Sequence, residues 1–198
     1  MRVYVETNFV LELALMRDEH QTCEAFLELA REKTIELVLP SFSIGEAFEA
    51  WSRRVKQRKD LWRRLDSELL ELARSKPYRE VPGKFATLTG WLNQSGEEEK
   101  LRVEGALSDL LSVAEVAPLG LLTIRKAAEL QVGLRLSIQD SIIYASILDH
   151  LEQGTEGAHC FITKNARDFL VPEIKASLAS RNCRLFARFG DALGFLGN

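Results

Sequence analysis

Apolar positions along the chain fall into short runs separated by longer amphipathic stretches. Residues 2–5 form a β-prone run that predicts a first strand. Thr7 and Asn8 are both good N-caps, so a helix is expected there, carrying Phe9, Leu11, Leu13 and Leu15. The run Arg17-Asp18-Glu19-His20 ends it, and a second helix follows with Cys23, Phe26, Leu27 and Ala30 at helical spacing. Residues 36–39 read as a second strand stopped by Pro40.

From Ser43 onward the pattern is helical for about thirty residues, with Trp51, Val55, Trp62, Leu65, Leu69 and Leu72 on one stripe. Pro77, Pro82 and Gly83 interrupt it. Asn93-Gln94-Ser95-Gly96 reads as a loop before a helix opening at Glu97-Glu98-Glu99, with Val103, Leu107, Leu110 and Leu111 as its apolar face. Helices are expected over 122–132, ended by Gly133, and over 137–151. A buried strand over 158–163, a helix over 171–180, a last strand over 183–187 and a terminal helix over 191–196 complete the pattern. Strands alternating with helices predict an α/β layer with a parallel sheet. The helical block at 52–118 is too long for one crossover and reads as an inserted helical hairpin or cap, which leaves one domain over 1–198.

Composition narrows the function. Apolar residues make up 46% of the 198, enough for a sizeable core. A net charge of −3 argues against a globally basic nucleic-acid binder, so any polyanion contact must be local. Cys23, Cys160 and Cys183 are odd in number and lack C-x-x-C spacing, which points away from a disulfide framework and towards a reducing compartment. Glu6 interrupts any N-terminal signal run, and the apolar stretch 110–124 contains Glu115 and Pro118. A cytoplasmic protein without a membrane span is expected. No Walker A run, G-x-G-x-x-G or G-x-S-x-G occurs. His20, His150 and His159 show no ligand spacing with one another or with the cysteines.

Four acidic positions carry the candidate chemistry. Glu6 ends the first strand, and Glu46 lies in Ser43-Ile44-Gly45-Glu46 just after the second. Asp140 lies in Ser137-Ile138-Gln139-Asp140, and Asp168 follows the strand at 158–163 together with Asn165. Singly, each has a plain structural explanation. Glu6 complements a helix dipole, Glu46 and Asp140 complete capping boxes with Ser43 and Ser137, and Asn165 and Asp168 make a turn. Together they all fall at the carboxyl edge of a parallel sheet, where ligands bind. Crowded carboxylates repel unless a cation neutralises them, and oxygen-only donors suit Mg²⁺ or Mn²⁺.

These residues resemble PIN-domain motifs. Val3-Tyr4-Val5-Glu6-Thr7-Asn8 is similar to the family's opening strand, Ser43-Ile44-Gly45-Glu46 to its second acidic motif, and Ser137-Ile138-Gln139-Asp140-Ser141 to its third. Thr163-Lys164-Asn165-Ala166-Arg167-Asp168-Phe169 resembles its fourth. The resemblance covers about 1–50 and 120–190. It implies a three-layer fold around a mainly parallel sheet, and hydrolysis of RNA phosphodiesters with Mg²⁺ or Mn²⁺. It also implies a homodimer and, as in many VapC-like relatives, a toxin's role beside a small antitoxin. By resemblance, Glu6, Glu46 and Asp140 hold the metal, Asp168 with Asn165 completes the site or orients water, and Asn8 and Thr163 support it. The chain departs from the pattern in having Glu6 for the usual Asp, and Asn165 where some relatives carry an acid.

The alternatives are a catalytically silent PIN scaffold that binds RNA or a protein, and an α/β phosphatase. The phosphatase ranks last because no D-x-D nucleophile motif accompanies the acids. Seven cations on one helix, Arg53, Arg54, Lys56, Arg58, Lys59, Arg63 and Arg64, read either as an RNA-phosphate surface or as a solvated helix face.

Overall fold

The computed structural model describes residues 1–154 and 157–197, with the side chains of all of these except 84, 86, 89 and 93. Five strands form one sheet in the order β3-β2-β1-β4-β5. They are β1 (Arg2–Tyr4), β2 (Glu36–Pro40), β3 (Glu115–Ala117), β4 (His159–Ile162) and β5 (Cys183–Phe186). Every neighbouring pair is parallel, with Val3 opposite Leu37 on one side and Cys160 on the other.

Successive strand residues point to opposite faces, and both faces are buried. Val3, Val5, Leu37, Leu39, Cys160 and Ile162 pack on one side with Phe9, Phe26, Leu110 and Phe189. Tyr4, Val38 and Phe161 pack on the other with Tyr144, Ile147, Phe169 and Ile174. The result is the three-layer α/β arrangement that the alternation of strands and helices predicts.

The first layer contains α1 (Thr7–Ala14), α2 (His20–Arg31), α4 (Val81–Leu111) and α9 (Phe189–Leu196). In it Phe9 meets Phe189 and Phe26 edge to face, at centroid distances of 5.5 and 6.4 Å. The second layer contains α6 (Ile138–Glu152), α7 (Ala166–Phe169) and α8 (Pro172–Ala179), with α5 (Leu121–Leu134) lying against α6. The chain winds outward from β1 through β2 to β3, then crosses back to β4. The order therefore reverses between β1 and β4, and the carboxyl ends of those two strands flank the crevice where α/β sheets take ligands.

Helix α3 (Ser41–Ala73) and α4 pack along each other as a hairpin, joined through a single 3-10 turn at Lys76–Tyr78. Several expectations change here. Asn93-Gln94-Ser95-Gly96 is not a loop but lies inside α4. Ser95 and Gly96 serve contact with α3. A Cβ on Gly96 would stand 3.1 Å from Val55 Cγ1, Ser95 Oγ accepts from Arg58, and the Trp51 indole donates to the Gly96 carbonyl. Leu72 and Leu111, expected on buried faces, are exposed.

Strand β3 lies within the block expected to be wholly helical. Three residues leave too short an alternation to read, and pairing with β2 defines the strand. Helix α5 runs through Gly133, and its left-handed cap is Arg135 at φ 55°. Among the described residues no helix is long and apolar enough to cross a membrane.

Candidate functional site

The first acid is placed by a turn in the backbone. Glu6, rather than Thr7 or Asn8, is the N-cap of α1, in extended conformation at φ −132°. Its carboxylate accepts from the Asn8 backbone N–H at 2.9 Å and from Asn8 Nδ2 at 2.8 Å. It is 4% exposed, and the Thr163 hydroxyl at the end of β4 also hydrogen-bonds to it. Burial raises its pKa to about 7 against an ordinary 4.5. The Asn8 and Thr163 donors oppose that rise, and the charge of Glu46 adds to it.

The capping-box explanation of Glu46 is overturned. Pro40, at ψ 131°, closes β2 and begins α3 directly, so the helix starts at Ser41 and Ser43 lies inside it. Glu46 instead reaches across to α1, where the Thr7 hydroxyl donates to it in a short contact. Its carboxyl is pushed upward, first by burial and further by Asp140 and Glu49, while Thr7 and Arg53 pull it down.

For Asp140 the capping geometry is present, and so is a second role. Ser137 Oγ accepts from the Asp140 backbone N–H at 3.0 Å and donates to the carboxylate. The other carboxylate oxygen accepts from Asn165 Nδ2 at 3.0 Å. The Asn165 backbone N–H donates in turn to the buried Thr163 hydroxyl at 3.0 Å. The polar contacts therefore link Glu46 to α1 through Thr7, Glu6 to Thr163, and Asp140 to Asn165, around the reversal between β1 and β4.

A cavity of about 300 Å³ opens between these elements, lined by Glu46, Glu49, Arg53, Ser137, Asp140 and Asn165 among others. Of the predicted residues, Glu6, Asn8, Glu46, Asp140, Thr163 and Asn165 come together. Asp168 stands apart on α7, half-buried, with no hydrogen bond or ion pair to its carboxylate among the described residues. Glu49 lines the cavity unforeseen, and Arg53, expected on an RNA-phosphate surface, lines it too. Their spacing of three and seven from Glu46 on one helix face was the available signal.

A buried network braces the fourth motif. Lys164 donates to Glu12 at 3.0 Å and lies 3.4 Å from Glu19, and Glu12 is 2% exposed. Glu12 also accepts from the Glu19 backbone N–H at 3.0 Å. This ties the segment carrying Thr163 and Asn165 to α1 and to the loop before α2. The signal was a lone acid amid Phe9, Val10, Leu11 and Leu13.

The seven cations divide among different roles. Arg58 bonds Glu99 at 2.8 Å and Ser95 at 3.0 Å inside the hairpin. Arg54 lies near enough to Arg17 to disfavour its charge. Arg53 lines the acid cavity. Lys56, Lys59 and Arg63 line a second groove, and Arg64 is exposed.

Chemically, the donors are all oxygens, which suits a hard divalent cation. The carboxyls of Glu6 and Glu46 are raised first by burial and further by neighbouring acids, so a cation there would favour their charged forms. As the side chains stand, no group of three or more His, Cys, Asp or Glu is arranged to hold a metal ion among the described residues. The three cysteines are buried and unpaired.

The chain matches no protein-family model and no curated protein. Among solved structures it is similar to the crystal structure of VapBC2 from Rickettsia felis bound to a DNA fragment from their promoter. The identity is 14%, covering 93% of this chain and 97% of that one, with a TM-score of 0.46. A likeness this distant says nothing about the site.

Proposed function

We propose that the chain is a Mg²⁺- or Mn²⁺-dependent endoribonuclease of the PIN type, a single domain over 1–198 carrying the α3–α4 hairpin as its insertion. The observation that carries this reading is that Glu46 interacts electrostatically with both Glu6 and Asp140, at the carboxyl edge beside the β1/β4 reversal. Acids 134 positions apart in sequence are thereby drawn to one crevice, and burial disfavours the charge of Glu6 and Glu46 there.

In this reading Glu6, Glu46 and Asp140 would hold the ion, exchanging the donors of Asn8, Thr7, Ser137 and Asn165 for it. A divalent cation there would activate water and neutralise charge on a phosphodiester undergoing in-line displacement. Thr163 and Asn8 orient Glu6, and Asn165 orients Asp140. Lys164, held by Glu12, fixes the turn that presents Thr163 and Asn165. The role of a toxin with a small antitoxin partner, homodimerisation and a cytoplasmic site of action belong to the same proposal and rest on the motif resemblance.

The test is Mn²⁺-dependent cleavage of RNA by the purified chain, abolished in Asp140→Asn while the circular dichroism spectrum is unchanged. Cleavage that survives Asp140→Asn refutes the site. A second reading, a silent PIN scaffold, is favoured by one observation: both Glu6 oxygens already accept from Asn8. A calorimetric titration giving no heat with Mn²⁺, alongside retained RNA binding, would select it.

A further inference from the structure

The acid cavity and the groove on the hairpin are adjacent stretches of one helix. Glu46, Glu49 and Arg53 on α3 line the cavity, and Lys56, Asp60 and Arg63 line the groove. Their spacings of three or four residues put all six on a single face. From Arg53 to Arg63 that face runs about 15 Å at about 1.5 Å per residue. Lys59 flanks it.

The cations on this face are available, unlike Arg58. Lys56 and Lys59 are exposed and have no hydrogen bond or ion pair among the described residues. Among the described residues Arg63 pairs only with Asp60, in an exposed pair at 3.2 Å of the kind that contributes little. Asp60 and Glu97 are the acids of the groove, which keeps its net charge at a modest positive value.

We infer that this face of α3 is a track for single-stranded RNA, which leads one strand along Lys56, Lys59 and Arg63 to Arg53 and the acid cavity. The inference rests on the nuclease reading and assigns the inserted hairpin its part in it. A line of cations one helix wide follows one phosphate backbone. A cavity of about 300 Å³ accepts one nucleotide-sized group and no duplex.

The experiment measures binding of a fluorescent dodecauridylate in EDTA, where no cleavage occurs, across a series of salt concentrations. Each phosphate contact on a single strand contributes roughly 0.7 to the slope of log affinity against log salt. The triple variant K56Q/K59Q/R63Q is expected to lower that slope by about 2 and to weaken binding by ten-fold or more at about 0.1 M salt. The control K100Q/R102Q, on the exposed cations of α4, leaves the slope unchanged. A triple variant with the wild-type slope overturns the track even if the wild type cleaves RNA. Oligoglutamate of equal charge competing as well as the RNA overturns it in favour of a protein-docking face. If the wild type shows the expected slopes yet cleaves nothing with Mn²⁺, the nuclease reading falls and the track stands.

Discussion

Glu6 ties the protein's stability to pH in a way that can be worked from its surroundings. In the folded chain its carboxyl titrates near about 7, and in the unfolded chain near the ordinary 4.5. Between those values the folded state binds the proton more tightly, so the linkage is negative: stability from this group is greatest at low pH and is lost as pH rises. At about 1.4 kcal/mol per pH unit, the loss between about pH 5 and about pH 8 comes to about 2 to 3 kcal/mol. Glu46, also raised, adds to it in the same direction. Glu152, lowered by Arg181 and Lys126, acts oppositely at more acidic pH.

The assay isolates Glu6 by difference. Urea unfolding of the wild type and of Glu6→Gln in EDTA, at several pH values, gives two stability curves. The amide does not titrate, and its mismatch with the two Asn8 donors is a constant offset. The gap between the curves should therefore shift by about 2 to 3 kcal/mol across that range, against the wild type as pH rises. Millimolar Mn²⁺ should restore the wild type at high pH and leave Glu6→Gln where it was, because a cation replaces the proton on the carboxylate. A gap constant within about 0.5 kcal/mol would refute the buried, uncompensated Glu6. Equal stabilisation of both proteins by Mn²⁺ would remove Glu6 from the ligand set.

If the proposed nuclease reading holds, Glu6→Asp should retain or raise Mn²⁺-dependent RNA cleavage, since Asp is the usual acid in the motif this segment resembles; a complete loss in a folded variant would count against the resemblance. Lys164→Met removes the nearer of the two cations on the buried Glu12 carboxylate, Arg17 remaining at 4.0 Å, and should destabilise by about 1 to 3 kcal/mol in urea unfolding, under the usual figure for a broken buried pair because Arg17 stays and Lys164 is partly exposed. Gly45→Ala, with nothing within 4 Å of the added Cβ, should stabilise α3 by about 0.5 to 1 kcal/mol. Gly96→Ala gains the same helix propensity but crowds Val55, so it should become clearly stabilising only in a Val55→Ala background, as thermal unfolding of the four combinations would show.

Whatever depended on short-range patterning was legible before folding. The apolar runs of β1, β2 and β4 predicted strands because both faces of a parallel sheet are buried, and the break at residues 17–20 predicted the gap between α1 and α2. What escaped depended on partners far along the chain. Asn93-Gln94-Ser95-Gly96 has every local mark of a loop, yet Val55, Arg58 and Trp51, some forty residues away, give Ser95 and Gly96 helical employment. Three-residue β3 has no period of its own and exists by pairing with β2.

The acids show the same division more sharply, because a capping box and a catalytic carboxylate share one local signature. At Asp140 both descriptions hold at once: the backbone N–H goes to Ser137, and the carboxylate reaches Asn165 on another element. At Glu46 the local description fails, since helix α3 had already begun at Ser41 and the side chain was free to cross to Thr7. Sequence spacing could place each acid at a strand end but not say which of them turned inward. Glu6, Glu46 and Asp140 do, and Asp168 stays on its own short helix. The weight of the candidate site therefore rests on the three acids at the β1/β4 reversal. A substitution at Asp168 should impair cleavage less than the same change at Asp140.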